Sequence, residues 1–187
     1  MPGRNEIRIL LSKAAELTEQ ENLEYVIIGG IAVNVWGNPR TTSDIDIVVL
    51  LSPDRYAVFL KLAAKHGFIF NFKKALSQLK KMGMCRLMKD KYHVDFIMGY
   101  SDFEKTVFER KRKIEIFGIR IWVASPEDVI LYKLLSSRNI DLADMSNIVQ
   151  TQAGKLDVKY LRARALQMQT DLSRTDILKN LEKLLAL

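Results

Sequence analysis

The sequence predicts an α+β fold: a mixed β-sheet flanked by helices, with a helical C-terminal part. Three observations carry that expectation. Short apolar runs in the front of the chain stop at glycine or turn residues. Two alternating segments, Lys113–Ile116 and Ile119–Val123, flank Phe117-Gly118 in the manner of a hairpin. From Ser125 onward the apolar spacing is helical, with a break near Ala153-Gly154-Lys155. The α/β core is expected over residues 1–124 and the helical part over 125–187, packed together as one compact unit.

Each element has a local reason. Residues 6–20 place Ile7, Leu10, Leu11, Ala14 and Leu17 on one helix side. Tyr25-Val26-Ile27-Ile28 is a short buried strand that runs into Gly29-Gly30. A brief helix over 30–36 follows, and Asn38-Pro39 breaks it. Asp44 to Leu51 is the second strand. Ser52 then caps a helix with Pro53 in its first turn, ending at His66-Gly67. Residues 68–83 carry no decisive pattern. Met84–Lys89 and a strand around Asp95 pair through Lys89-Asp90-Lys91. Ser125-Pro126-Glu127-Asp128 is a strong helix start, with a Ser cap, Pro at the first position and Asp three residues after the Ser. Residues 157–187 give two closing helices, the last striped by Ile177, Leu178, Leu181, Leu184 and Leu185.

Composition narrows the class. A chain of 187 residues, 48% hydrophobic and 27% charged, can bury an ordinary globular core. No apolar run approaches the roughly 20 residues that span a bilayer. Met1-Pro2-Gly3-Arg4-Asn5-Glu6 lacks the charged-then-apolar layout of a leader. Cys85 is the sole cysteine, so no internal disulfide forms, and a cytoplasmic location is expected. Cys85 itself reads as a small apolar residue rather than a nucleophile. The net charge of +7 suits polyanionic partners. Arg110-Lys111-Arg112-Lys113 is the densest basic run, and Lys73-Lys74 and Lys80-Lys81 flank a helical-looking segment. Each is either a phosphate contact or a solvated face.

The chemistry concentrates at Gly29-Gly30, Asp44-Ile45-Asp46 and Asp95. Glycines let backbone N–H groups approach phosphate oxygens, and a following helix start adds a favourable dipole. Residues two apart on a strand share a face, so Asp44 and Asp46 project together. Two such carboxylates repel unless a cation lies between them. Asp95 lies in an alternating run with His93 on its side and Val94 and Phe96 on the other. With that strand beside the Asp44 strand, three hard oxygen ligands converge as a site for two Mg²⁺ (or Mn²⁺) ions. His93 would then lie near the site, as a proton carrier or as a hydrogen-bonded strand residue. Trp36 and Trp122 read as core.

This pattern resembles the nucleotidyltransferase superfamily with the polymerase-beta-like fold. Arg40-Thr41-Thr42, and Ser125-Pro126-Glu127-Asp128 leading to Lys133, Arg138, Asp141 and Asp144, resemble its AbiEii-type branch, which includes toxins of toxin–antitoxin systems. The resemblance implies catalytic and metal roles for Asp44, Asp46 and Asp95. It implies nucleotide binding by Gly29, Gly30, Arg40 and Lys133, the lysine reaching triphosphate oxygens. One departure stands out: many members have Gly-Ser where this chain has Gly29-Gly30, so backbone amides must serve without a hydroxyl. Arg138, Asp141 and Asp144 read mainly as an ion-pair network. The expected function is metal-dependent transfer of a nucleoside monophosphate from a nucleoside triphosphate to a hydroxyl of RNA or protein. A role in a toxin–antitoxin system would add an antitoxin partner. The alternative is a catalytically inactive nucleotide-binding or regulatory module of the same fold.

Overall fold

The structure, a computed structural model, describes residues 4–136 and 138–186. Met1–Gly3, used in the leader reading, and Leu187, at the end of the predicted closing helix, lie outside the described residues. The α+β architecture is as expected. The described residues form a six-stranded mixed sheet and nine α-helices. They divide into two compact units: the chain up to Ile31 with Thr41–Val123, and Ala32–Arg40 with the chain from Ala124 onward.

The first unit holds the sheet. It contains α1 (Arg4–Gln20), β1 (Glu24–Ile28), β2 (Asp44–Leu50), α3 (Tyr56–Lys65), α4 (Phe72–Met82), β3 (Met84–Lys89), β4 (Tyr92–Met98), α5 (Asp102–Arg110), β5 (Arg112–Ile116) and β6 (Ile119–Val123). Between β1 and β2 the helix α2 (Gly29–Trp36) starts in this unit and ends in the other. The strand order is β3-β4-β2-β1-β6-β5. β2 is antiparallel to β1 and parallel to β4; β1 is parallel to β6.

Alternation divides the sheet into two faces. Ile45 and Ile47 of β2, Val94 and Phe96 of β4 and Leu87 of β3 share one face and are fully buried. Phe59 of α3 meets the Phe96 ring edge-on at 5.1 Å, and Phe68 meets it at 6.0 Å. Burying each such side chain stabilises by about 1.5–3 kcal/mol. That anchors β2 firmly enough to carry charge on its opposite face.

The structure sharpens three local readings. Residues 68–83, left open above, hold α4, whose Asn71 cap accepts from Lys74 N–H at 2.9 Å. Ser52 does not cap with its side chain; Pro53–Arg55 form a 3-10 turn that leads into α3. The basic run at 110–113 is split between two elements. Arg110 ends α5 and Arg112 starts β5, while Lys111 pairs with Glu24 at 2.9 Å and lies over the Phe108 and Trp122 rings. The hairpin at Phe117-Gly118 is present, with φ of +54° and +79°.

The second unit is helical: the end of α2, then α6 (Pro126–Leu134), α7 (Asn139–Thr151), α8 (Val158–Asp171) and α9 (Ile177–Leu185). Ser125 caps α6 by accepting from Asp128 N–H at 3.2 Å. Buried Glu127 accepts from Asp157 N–H at 2.9 Å, and Tyr160 donates to buried Asp128. These carboxylates tie the start of α6 to the start of α8. Among the described residues no helix is long and apolar enough to cross a membrane.

Candidate active site

The burial of β2 changes along its length. Asp44 and Asp46 are half-buried, Ile45 and Ile47 lie beneath them, and from Ile47 to Val49 every residue is buried. On the sheet face that carries the carboxylates, the half-buried Asp44 and Asp46 are followed by buried Val48 and exposed Leu50. Thr42 Oγ1 donates to Asp44 Oδ1 at 3.0 Å and fixes that carboxylate.

Gly29 explains how Asp46 fits. It has φ of +63°, a region that favours glycine, and a Cβ there would overlap the Asp46 carboxylate. Ile28 and Asp46 are register partners, so the turn from β1 into α2 passes directly over Asp46. The glycine thus makes room for a protein carboxylate as well as for a backbone amide at a helix start. Gly30 is buried in the first turn of α2.

Asp95 is the register partner of Asp46 on the neighbouring parallel strand, and His93 is the partner of Asp44. All four side chains share one sheet face. His93 Nε2 is buried without a hydrogen-bond partner, 3.8 Å from Asp44 Oδ2. Cys85 is buried on the opposite face; burial and, less strongly, the Asp95 charge push its thiol up to about 12. A thiolate nucleophile is excluded there.

Sequence reasoning missed Arg86. It sits opposite Asp95 in the β3–β4 hairpin and donates from Nε at 2.8 Å and from Nη2 at 2.7 Å, one bond to each carboxylate oxygen. Hydrogen bonding to Asp95, then the charges of Asp95, Asp44 and Asp46, push the Arg86 guanidinium above its usual value. The expected connection Lys89-Asp90-Lys91 is one residue too long, because Lys89 pairs with Tyr92. Asp90-Lys91 is a two-residue connection with Asp90 at φ +55°, and that length sets Arg86 against Asp95. A three-residue loop would have shifted the register by one and turned Arg86 away.

Asp44 and Asp46 supply hard oxygen donors and could hold a divalent cation of the Mg²⁺ class. Asp95 is placed beside them, but its oxygens are engaged by Arg86. Among the described residues no three His, Cys, Asp or Glu side chains are grouped to hold a metal ion.

Arg40 and Lys133 lie in the second unit. Arg40 donates from Nε to Asp144 Oδ1 and from Nη2 to Asp144 Oδ2, both at 2.6 Å. Lys133, buried, contacts Asp141 at 2.6 Å and Asp144 at 2.8 Å, and Arg138 reaches Asp141 at 2.6 Å. Burial alone would raise both carboxyls, but hydrogen bonds from Arg138 and Lys133 to Asp141, and from Arg40 and Lys133 to Asp144, hold them below the usual carboxylate value. Asn34 secures the turn by accepting from Arg40 N–H at 2.8 Å. The ion-pair network read from the sequence is thus present, and it contains the two cations expected at phosphate.

A mixed sheet with an Asp-x-Asp strand under a glycine turn defines a nucleotidyltransferase-like protein. The chain belongs to the family described as "Nucleotidyltransferase of unknown function (DUF6036)", matched over residues 5–184. No curated protein matches it. Solved structures share its fold. The antibiotic-resistance factor ANT(2'')-Ia superposes with TM-score 0.63 at 14% identity, over 91% of this chain and 97% of that one. The lincosamide antibiotic adenylyltransferase LnuA gives 0.53 at 15%, over 80% and 98%. JHP933 from Helicobacter pylori gives 0.54 at 15%, over 100% and 91%.

Proposed function

We propose that the protein transfers a nucleoside monophosphate from a nucleoside triphosphate to an acceptor hydroxyl. The observation that carries this reading is the carboxylate row: Asp44 and Asp46 on one strand, Asp95 in register beside Asp46, and Asp46 against the glycine turn that starts α2. Asp44, Asp46 and Asp95 would hold Mg²⁺ or Mn²⁺, which when bound offsets phosphate charge and lowers the pKa of the acceptor hydroxyl. Amides at Gly29 and Gly30 orient the triphosphate. Asp95 accepts the hydroxyl proton. The hydroxyl oxygen bonds to the α-phosphorus, the bond from that phosphorus to the bridging oxygen breaks, and pyrophosphate leaves with the electron pair. Arg40 and Lys133 join phosphate binding only where a phosphate oxygen replaces Asp144 or Asp141 as their partner.

The acceptor is assigned by charge. ANT(2'')-Ia has been solved with adenylyl-2''-tobramycin and LnuA with lincomycin. A chain of net charge +7 favours a polyanion over a cationic aminoglycoside, so RNA is the first acceptor to test and a protein hydroxyl the second. The resemblance to the AbiEii-type branch extends this reading to a cytoplasmic toxin–antitoxin component with an antitoxin partner. One observation favours the inactive-module alternative: Arg86 already engages both oxygens of Asp95.

The test is incubation with Mg²⁺ and each α-labelled nucleoside triphosphate, with total RNA, a protein extract or an antibiotic panel as acceptor. Label in RNA or protein, absent with Asp46→Asn, supports the proposal. Label in an antibiotic alone replaces the acceptor, and nucleotide binding without transfer to any acceptor replaces the enzyme by the module.

A further inference from the structure

Arg86 and Asp95 are unequal partners. The Asp95 side chain is 8% exposed and the Arg86 side chain 54%. Asp95 is fixed in β4 between β3 and β2, whereas Arg86 sits on an edge strand with its long side chain toward solvent. The guanidinium is therefore the partner that moves. Its charge also bears on Asp44 and Asp46, so it serves the whole cluster as counter-ion. With the guanidinium withdrawn, Asp95 regains its lone pairs.

We propose that Arg86 is a positioning residue that competes with the divalent cation for Asp95. It holds the third carboxylate in the resting protein and withdraws before Asp95 acts as ligand or proton acceptor. The inference rests on the metal-dependent reading above. Geometry makes the exchange self-consistent. A bidentate guanidinium fork satisfies both oxygens of a carboxylate that would otherwise be desolvated beside two others of like charge. Release costs little on the Arg86 side, because a half-exposed guanidinium regains water. The site thus rests with its third ligand masked and opens when a stronger cationic demand arrives.

The experiment is Mn²⁺ binding to the nucleotide-free full chain, read from the electron paramagnetic resonance of free Mn²⁺. Arg86→Met is expected to tighten binding at least tenfold. Asp95→Asn alone should weaken it, because the carboxylate that joins the cation once Arg86 withdraws is gone. Arg86→Met with Asp95→Asn should abolish the gain. A merely structural Arg86 predicts unchanged or weaker binding, and that result, or a gain that survives in the double variant, overturns the inference. A wild-type measurement guards against misfolding of the variants: Mg²⁺ should shift the Arg86 Nε–H resonance, assigned by its loss in Arg86→Lys. An unmoved resonance at saturating Mg²⁺ also overturns it. Wild-type Mn²⁺ binding with no gain in Arg86→Met sinks this inference alone, whereas no Mn²⁺ binding in any of these proteins sinks the metal reading with it.

Discussion

Single residues carry the sharpest consequences. Asp44→Asn or Asp46→Asn is expected to abolish transfer while the melting temperature holds or rises, because each change removes like-charge repulsion on one strand face. A near-wild-type rate in either variant would remove the metal role. Gly29→Ala tests a different element of the site. Its Cβ would enter the space of the Asp46 carboxylate at a φ of +63°. Displacing that carboxylate by about an ångström should slow single-turnover transfer about a hundredfold in the folded variant. Unchanged rate and stability would place Asp46 elsewhere. The carboxylate row was legible because its spacing is fixed by strand alternation, whatever the surroundings. The need for glycine opposite Asp46 was not, because it depends on a turn closing over a particular side chain.

Elements set where those residues stand, and here legibility divides by the range of the interaction. The Phe117-Gly118 hairpin and the α6 start are written in contiguous residues, so reading them needs no tertiary context. The Ser101 cap of α5 is equally local: it accepts from Glu104 N–H at 3.3 Å while Glu104 returns to Ser101 N–H at 2.7 Å. It escapes notice because the helix buries only Val107 and Phe108 and shows little apolar stripe. The pairing of Arg86 with Asp95 hangs on one residue of loop length, the finest distinction a sequence offers. In the second unit, Lys133→Met would leave Asp141 and Asp144 buried with less positive charge. Loss of about 3–5 kcal/mol is expected in chemical denaturation. A change below about 1 kcal/mol would show that Arg40 and Arg138 suffice. Both carboxyls are lowered by folding. Their stabilisation is therefore full above the unfolded carboxyl value of about 3.9 and is lost as pH falls through the folded values. Wild-type stability should drop below about pH 4, with a smaller drop in Lys133→Met, as denaturation at stepped pH would reveal.

For the whole molecule the decisive quantity is the coupling of binding to stability. A nucleotide that binds only the folded chain adds about 2.7 kcal/mol at a hundred times its Kd. The melting temperature should rise with triphosphate and Mg²⁺ together and much less with either alone. Equal shifts for triphosphate with and without Mg²⁺ would count against a metal-bridged complex. The net charge of +7 makes a second demand. Transfer to RNA should fall at least about tenfold between 50 and 200 mM salt, while transfer to an uncharged acceptor should hold nearly constant.

The hairpin that joins Arg86 to Asp95 also bears on the order of events during folding. β3 and β4 are neighbours in sequence and pair through two residues, whereas β4 reaches β2 only after the whole crossover between them is made. The hairpin therefore has the shorter loop to close and is expected to form first. Asp95 then arrives beside Asp44 and Asp46 with its charge already matched. Without Arg86 the incoming strand meets like charges, a repulsion of about 3 kcal/mol at 5 Å and an effective dielectric constant of 20. Arg86→Met should accordingly refold more slowly while unfolding at close to the wild-type rate, and stopped-flow kinetics would register the difference. Equal refolding rates would mean that strand docking precedes the hairpin and that the guanidinium reaches Asp95 only afterwards.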